Sequence, residues 1–465
     1  MPTPTPAAAT VRHVSAGGSD SAVCSQASPC ATLARAYATA AAGDVVQVAA
    51  GLYPPQRVPA GTKAVIFRGA AGARLRELDN FADNVTFDGI EVDAQFAKVA
   101  GFENHGAADV TFENGRIGNV TDEKGAVVSG TNFTFDNVVF HDVRLTDPNV
   151  HNECVYAIVV PGMTVRNSTF QACATMDLFF TYGDWWTPLP PAYGGVTLEN
   201  NVFAHSMMEQ SDPSWHYYSL SVGNTAHGGG TLKDWTVRNN TFEIPAAVSR
   251  ESSSGSRWVG NLGSWDCVAG VEYRHNVGTR CSSTDKAITP AASTRTRVAP
   301  FGWVAPALND FRLRAESPAI GAADPGDAPA DDRDGHPRDS RPDAGAYEFG
   351  AGGPAVPTRS GSAIRVRTAR VGRNPICVKA RRRCPSTTKL RIRLSAPARV
   401  TARIRRLRRR ASARTVRTTK LAAGTTHAVR VRARGLGAGR YRIVVVATDA
   451  AGRRLHSKTI GLRVR

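Results

Sequence analysis

Asn84-Val-Thr-Phe-Asp-Gly-Ile-Glu-Val92 is the first of seven copies of one nine-residue pattern. The others are Asp109–Ile117, Asn132–Phe140, Gly162–Phe170, Gly195–Phe203, Asp234–Phe242 and a degenerate Gly270–Gly278. Each places apolar residues on either side of Thr, a polar residue three after it and an apolar residue six after it. The first column reads Gly89, Asn114, Asn137, Asn167, Asn200, Asn239, His275. The second reads Val92, Ile117, Phe140, Phe170, Phe203, Phe242, Gly278. Successive Thr residues lie 25, 23, 30, 33 and 39 positions apart. Short alternating strands bounded by Asn and Gly, with no long 3.6-residue period between them, predict stacked coils of strand only, a parallel β-helix. The Asn column then holds bends, its amides bonding from coil to coil, and takes no part in chemistry. The Phe column fills the interior.

Composition divides the chain. Residues 363–465 carry 31 Lys and Arg against one acid, Asp449, while residues 1–362 are net acidic. The stretch 351–362 reads as a Gly-, Pro- and Ser-rich linker, and residues 1–10 as a disordered start. Met1–Thr10 has neither the basic nor the apolar part of a signal peptide, so either the natural start lies upstream or this is the mature form. The eight cysteines form four local pairs, Cys24/Cys30, Cys154/Cys173, Cys267/Cys281 and Cys377/Cys384. An even count without Cys-x-x-Cys favours disulfides and an extracellular or cell-surface location. No apolar run is long enough to span a membrane.

Residues 11–350 resemble the right-handed parallel β-helix proteins of the pectin-lyase-like superfamily, in their secreted bacterial form. The opening segment, from His13-Val-Ser-Ala-Gly-Gly-Ser-Asp20 to Gly51-Leu-Tyr53, is similar to that family's capped start, with a short helix over about 31–42 closing the open coil end. Ser317-Pro-Ala-Ile-Gly321 through Asp343-Ala-Gly-Ala-Tyr-Glu348 resembles the usual end. The likeness implies a fold; its members include lyases, hydrolases, epimerases and binders.

Within 363–465, apolar residues alternate with Arg, as in Ile364-Arg-Val-Arg367 and Leu390-Arg-Ile-Arg-Leu394. This predicts a small β-sandwich resembling immunoglobulin-like modules, Arg outward. Arg405-Arg-Leu-Arg-Arg-Arg410 reads as a basic hairpin tip. Such charge should draw an anionic cell-envelope polymer or acidic glycan. Nucleic acid is the weaker partner, because Tyr441 is the sole aromatic available for base stacking, and a compositional bias toward Arg is the competing account.

The superfamily resemblance implies three strands per coil, with the first strand lining a groove. Those first strands are expected at 97–102, 125–129, 155–160, 178–182, 217–222 and 257–262. A polar column of Lys124, Glu153, Asp177 and His216 is expected along them. His151, Asp184, Trp185, Trp186, Glu209, Asp212, Trp215 and Tyr217 stand around it, rings for stacking on sugars and polar groups for their hydroxyls. A uronate lyase would use Lys124 or Arg144, with calcium as the one cofactor left open. A hydrolase would use two of Glu153, Asp177 and Asp184. The motif sets of polygalacturonases and the acidic calcium quartet of pectate lyases are not found. The aspartates at 324, 327, 331, 332 and 334, including Asp332-Arg-Asp-Gly335, read as a solvated loop rather than a calcium loop. Polysaccharide binding, with lyase or hydrolase activity, competes with a non-enzymatic adhesin role.

Overall fold

In the computed structural model, residues from 10 to 464 are described except 148, 182–191, 205–217, 223–230, 249–254, 268–269, 282–291, 297, 307–308, 351–365, 373–374, 379–383, 395–397, 407–413, 422–425, 434–435, 437 and 449–453. The chain divides into two compact units, residues 1–351 and 352–465.

The first unit is a parallel β-helix. One sheet holds eleven strands from Val11–Val14 to Val271–Arg274, and the Thr column runs through it in register. Thr86 pairs with Thr111, Thr111 with Thr134, Thr134 with Thr164, Thr164 with Thr197 and Thr197 with Thr236. A second sheet of seventeen strands forms the other two faces of the coil. Thr-sheet residues one position later point inward and are buried: Phe67, Phe87, Phe112, Phe135, Val165, Leu198, Val237, Trp258 and Tyr273. The period-two pleat thus delivers one apolar side chain per coil to the core.

The bend after each Thr strand explains the Asn column. Asn114, Asn137, Asn167, Asn200 and Asn239 all have φ between 51° and 54°, the left-handed region that Asn tolerates best after Gly. Their amides are linked in part, as from Asn137 Nδ2 to Asn114 Oδ1 at 3.0 Å. The continuous buried ladder, however, sits one residue later. Asn201 donates to Asn240 at 2.9 Å, Asn240 to Asn261 at 3.1 Å and Asn261 to Asn276 at 2.9 Å. The expected column is thus bonded at Asn137–Asn114 and Asn200–Asn167, and a second, continuous ladder runs one residue after it.

The Phe column is as expected. Phe140, Phe170, Phe203 and Phe242 are fully buried and stack in sequence at 4.7, 4.8 and 4.8 Å. The cap helix is shorter than expected, Leu33–Thr39, with Thr32 as N-cap accepting from Arg35 N. Its Tyr37 ring lies 6.4 Å from Phe67, closing the aromatic interior at that end. At the other end the segment after Ser317 returns along the coil. Arg338 and Glu348 form a buried ion pair at 3.1 Å, and Arg338 also donates to Asn200 Oδ1 at 2.9 Å.

Two expected groove strands were misassigned by pattern, and the one placed at 97–102 is Phe102–Asn104. Residues 257–262 are not a groove strand: Ser256–Val259 belongs to the Thr sheet, with Arg257 beside Thr236 and Glu272. Trp258 replaces the smaller apolar residue there and Arg257 the Thr, which hides the repeat. Disulfides join Cys24 to Cys30, Cys154 to Cys173 and Cys377 to Cys384. Cys267 is also disulfide-bonded; the side chain of Cys281 lies outside the description.

The second unit is a β-sandwich. A three-stranded antiparallel sheet orders Val366–Val371, Thr387–Leu394 and Thr426–Arg432. A four-stranded one orders Arg414–Leu421, Ala398–Arg406, Gly439–Thr448 and Arg454–Val464. Leu390, Ile392 and Val431 from the first meet Ile404, Ile443 and Leu462 from the second in one core. Residues 407–410 of the basic run, and the linker, lie outside the described residues. No described helix is long and apolar enough to cross a membrane.

Candidate functional site

The first strands of successive coils run Gln56–Gly61, Leu78–Ala82, Phe102–Asn104, Ala126–Ser129, Glu153–Ile158, Met176–Thr181 and Tyr218–Val222. Their register aligns one outward row: Arg57, Asp79, Glu103, Val127, Tyr156, Phe179 and Ser221. Tyr156 and Phe179 stand beside each other with ring centroids 5.5 Å apart, both half-buried. Further along the coil axis, the Phe81 ring is sandwiched between the Arg57 guanidinium at 4.0 Å and the His105 ring at 4.2 Å. His105 Nε2 lies 3.4 Å from Asp79 and 3.9 Å from Glu103. Burial pushes the Glu103 carboxyl above its usual range.

Beside the aromatic pair stands a dyad. His151 Nδ1 is 2.6 Å from Glu153 Oε1. The Glu153 side chain is fully buried, while that of His151 is 39 % exposed. The hydrogen bond and charge of Glu153 raise the His151 pKa above 6.5, against the opposing effects of burial and of the Lys124 charge. The His151 ring lies 6.4 Å from Tyr156 and 6.3 Å from Phe179. Lys124 sits 5.8 Å over the Tyr156 ring and 3.5 Å from Glu123. Three expected residues, Lys124, His151 and Glu153, therefore share one surface with two rings that pattern reading had not singled out. A buried carboxylate against Nδ1 orients the ring and makes the imidazole a stronger base.

Asp177 does not join them. Glu153 pairs with Met176, and Met176 with Tyr218. The expected column is thus one residue out of step, and the pleat turns Asp177 the other way. Asp177 is buried against Ser219 and near Glu243; burial, reinforced by the Glu243 charge, pushes its carboxyl well above the usual range. Its Oδ2 accepts no hydrogen bond from the described residues. Arg144 lies over the Phe96 ring at 3.5 Å and 3.8 Å from Asp142, partners other than Lys124. Asp184, Trp185, Trp186, Glu209, Asp212, Trp215, His216 and Tyr217 fall outside the described residues.

The exit aspartates divide: Asp331 and Asp334 are exposed, as expected of a solvated loop, whereas Asp327 and Asp332 are held by partners. Asp332 accepts from the backbone of Asp334, His336 and Glu348, and Asp327 pairs with Arg257 and Arg274. Their oxygens are occupied by donors from this chain, a different use from binding calcium. Among the described residues no group of three or more His, Cys, Asp and Glu is placed to hold a metal ion. A cavity of about 600 Å³ lies between this segment and the Asn bends, lined by Asp136, Arg166 and Glu199 among others. Arg166 is bonded to Asp136 and Arg238 to Glu199 at its walls, so it is a gap between paired charges.

No known protein family matches the sequence, and no curated protein is similar to it. Among solved structures, the pectate lyase Pel9A superposes with a TM-score of 0.50 at 16 % identity, over 73 % of this chain and 96 % of that one. A complex of XylC with xylose gives 0.37 at 8 % identity, over 62 % and 82 %. A rhamnogalacturonan lyase gives 0.34 at 10 %, over 64 % and 91 %. With its stacked parallel sheets, and in its likeness to Pel9A, the chain has the right-handed parallel β-helix fold.

Proposed function

We propose that this is a secreted or cell-surface protein that binds an acidic polysaccharide on its first-strand face and cleaves it by β-elimination. The observation that carries the proposal is the His151–Glu153 dyad beside Lys124, Tyr156 and Phe179. Flat half-buried rings offer a platform for a sugar, and Lys124 supplies the counter-charge for a uronate carboxylate. Neutral His151 takes the proton from the carbon next to that carboxylate. The electron pair forms the ring double bond, and the glycosidic oxygen leaves with a proton from solvent. Glu153 touches no substrate; it orients His151 and stabilises the imidazolium that forms. Hydrolysis would need two carboxylates facing one bond; of the three expected to supply them, Glu153 and Asp177 are buried in separate places and Asp184 lies outside the described residues. The disulfides support an oxidising compartment. The basic unit serves as an anchor to anionic envelope polymer.

That same burial favours a second reading, a binder without turnover. A panel of acidic and neutral polysaccharides separates the two when followed for ultraviolet-absorbing unsaturated ends and for new reducing ends. Elimination gives both signals on a uronate polymer, and His151→Ala abolishes them while binding persists. Binding with neither signal would establish the adhesin reading. Reducing ends without ultraviolet absorbance would indicate hydrolysis.

A further inference from the structure

The His151–Glu153 dyad stands where strand pairing begins. Between Glu153–Ile158 and Met176–Thr181 the first paired residues are Glu153 and Met176, so His151 lies two residues ahead of the ladder. A strand end of this kind frays unless its backbone groups find partners. Here a side chain extends the ladder by one rung. The hydroxyl of Thr175 accepts from Asn152 N at 3.3 Å and donates back to Asn152 Oδ1 at 3.1 Å. The Asn152 amide in turn donates to Arg144 O at 2.6 Å, which ties down the exit of the loop over residues 145–151. The entrance of that loop is held by Asp122, which accepts from Asp147 N at 2.9 Å and from the backbone and hydroxyl of Thr146. Asn152 and Thr175 are both buried, and the Cys154–Cys173 disulfide joins the same two strands within two residues of each.

We infer that Asn152 and Thr175 are positioning residues, a buried clamp that holds His151 Nδ1 on Glu153. The inference rests on the elimination reading above for its importance to turnover, and it names what keeps the base of that reading in place. Being buried, neither residue meets the polymer; both act through the dyad. A reactive pair needs such support, because a group on a loop holds its geometry only when packing and hydrogen bonds behind it fix the backbone. Losing the Thr175 hydroxyl would leave Asn152 N and Oδ1 buried without that partner, and the chain would move to recover water or another donor. His151 would then leave Glu153. The 2.6 Å contact with Glu153, followed by the Glu153 charge, is what raises the His151 pKa, against burial and the Lys124 charge. The titration of His151 therefore reports directly on whether the clamp holds.

The test follows the His151 ring by NMR titration in the full chain, its signal identified by its loss in His151→Ala, and needs no substrate. Thr175→Val keeps the shape and removes the hydroxyl; it should lower the His151 pKa toward 6.5. Thr175→Ser, which keeps a hydroxyl, should leave the pKa where the unaltered chain has it. On polygalacturonate, Thr175→Val should lose about 10- to 100-fold in kcat with KM changed less than about twofold, the pattern of a displaced base. Asn152→Ala serves in its place if Thr175→Val does not fold. A lower melting temperature with an unmoved His151 titration would overturn the inference and reduce the pair to a structural tie; turnover by the unaltered chain would then leave the elimination reading standing. A lowered His151 pKa in a protein that cleaves no uronate polymer would uphold the clamp and remove the elimination reading instead.

Discussion

Phe170→Ala tests the aromatic column on which the coil is built. The Phe170 ring is fully buried and stacked on Phe140 at 4.7 Å and 13°, and on Phe203 at 4.8 Å and 8°. Truncating a buried Phe costs about 3–5 kcal/mol through lost transfer energy and the cavity left behind. Each lost ring contact adds about 0.5–1.5 kcal/mol beyond the buried area. The site has little freedom to collapse, because Phe140 and Phe203 are fixed by the backbone pairing of their own coils with that of Phe170. The expected loss is therefore at the upper end, about 5 kcal/mol, comparable with the whole stability of many domains. Phe170→Leu, which keeps most of the volume and no ring, should cost about 1–2 kcal/mol. Urea unfolding followed by circular dichroism gives both numbers. Combining Phe170→Ala with Phe203→Ala should depart from additivity by about 1 kcal/mol, while combining it with Phe67→Ala, several coils away, should not. A loss under about 2 kcal/mol, or equal additivity for both pairs, would refute a stacked interior whose energy passes between neighbouring coils.

Glu153→Gln removes the charge that holds the His151 pKa above 6.5; the acidic limb of the pH–rate profile should move to lower pH and kcat should fall, with KM little changed. An unmoved limb would separate the dyad from the chemistry. Because the folded-state pKa of Asp177 is raised above 3.8, the folded state holds its proton longer than the unfolded chain. Stability is then greatest below 3.8 and declines as pH rises through the folded value. Asp177→Asn should flatten this decline in melts across pH and stabilise the protein at neutral pH; a parallel decline in the variant would show that Asp177 is not its source. Arg338→Ala strands Glu348 in a site where both side chains are 2 % exposed. It should cost about 3–5 kcal/mol in the same urea assay, and Arg338→Met should recover part of that loss.

The fold was legible where the chain repeats chemistry at fixed offsets from Thr. The Thr, Phe and Asn columns could be found because a left-handed bend accepts Asn and a coil interior accepts Phe. The second amide ladder, one residue later, was not foreseen, since Asn200-Asn201 and Asn239-Asn240 are adjacent in sequence and only the backbone path tells which of each pair joins the continuous row. The coil at 256–259 escaped because Arg257 stands where other copies have Thr. The site was less legible. Lys124, His151 and Glu153 could be chosen by residue type, but separating Glu153 from Asp177 requires the register across strands joined by connections of variable length. Tyr156 and Phe179 were not singled out, since their outward direction shows only once the strands are placed. Their adjacency depends on that same register.

The left-handed bend has a consequence for how such a chain can change. From Thr to Asn and on to the Phe position, the six-residue path is the same length in coil after coil, and all the variation, from 23 to 39 residues between successive Thr, falls outside it. An insertion inside the path would reverse the pleat and expose the Phe side, whereas one beyond it leaves the paired path intact. The molecule thus keeps a stretch intolerant of length change apart from one where loops can be exchanged. Loop grafting between coils should alter ligand preference before it alters folding.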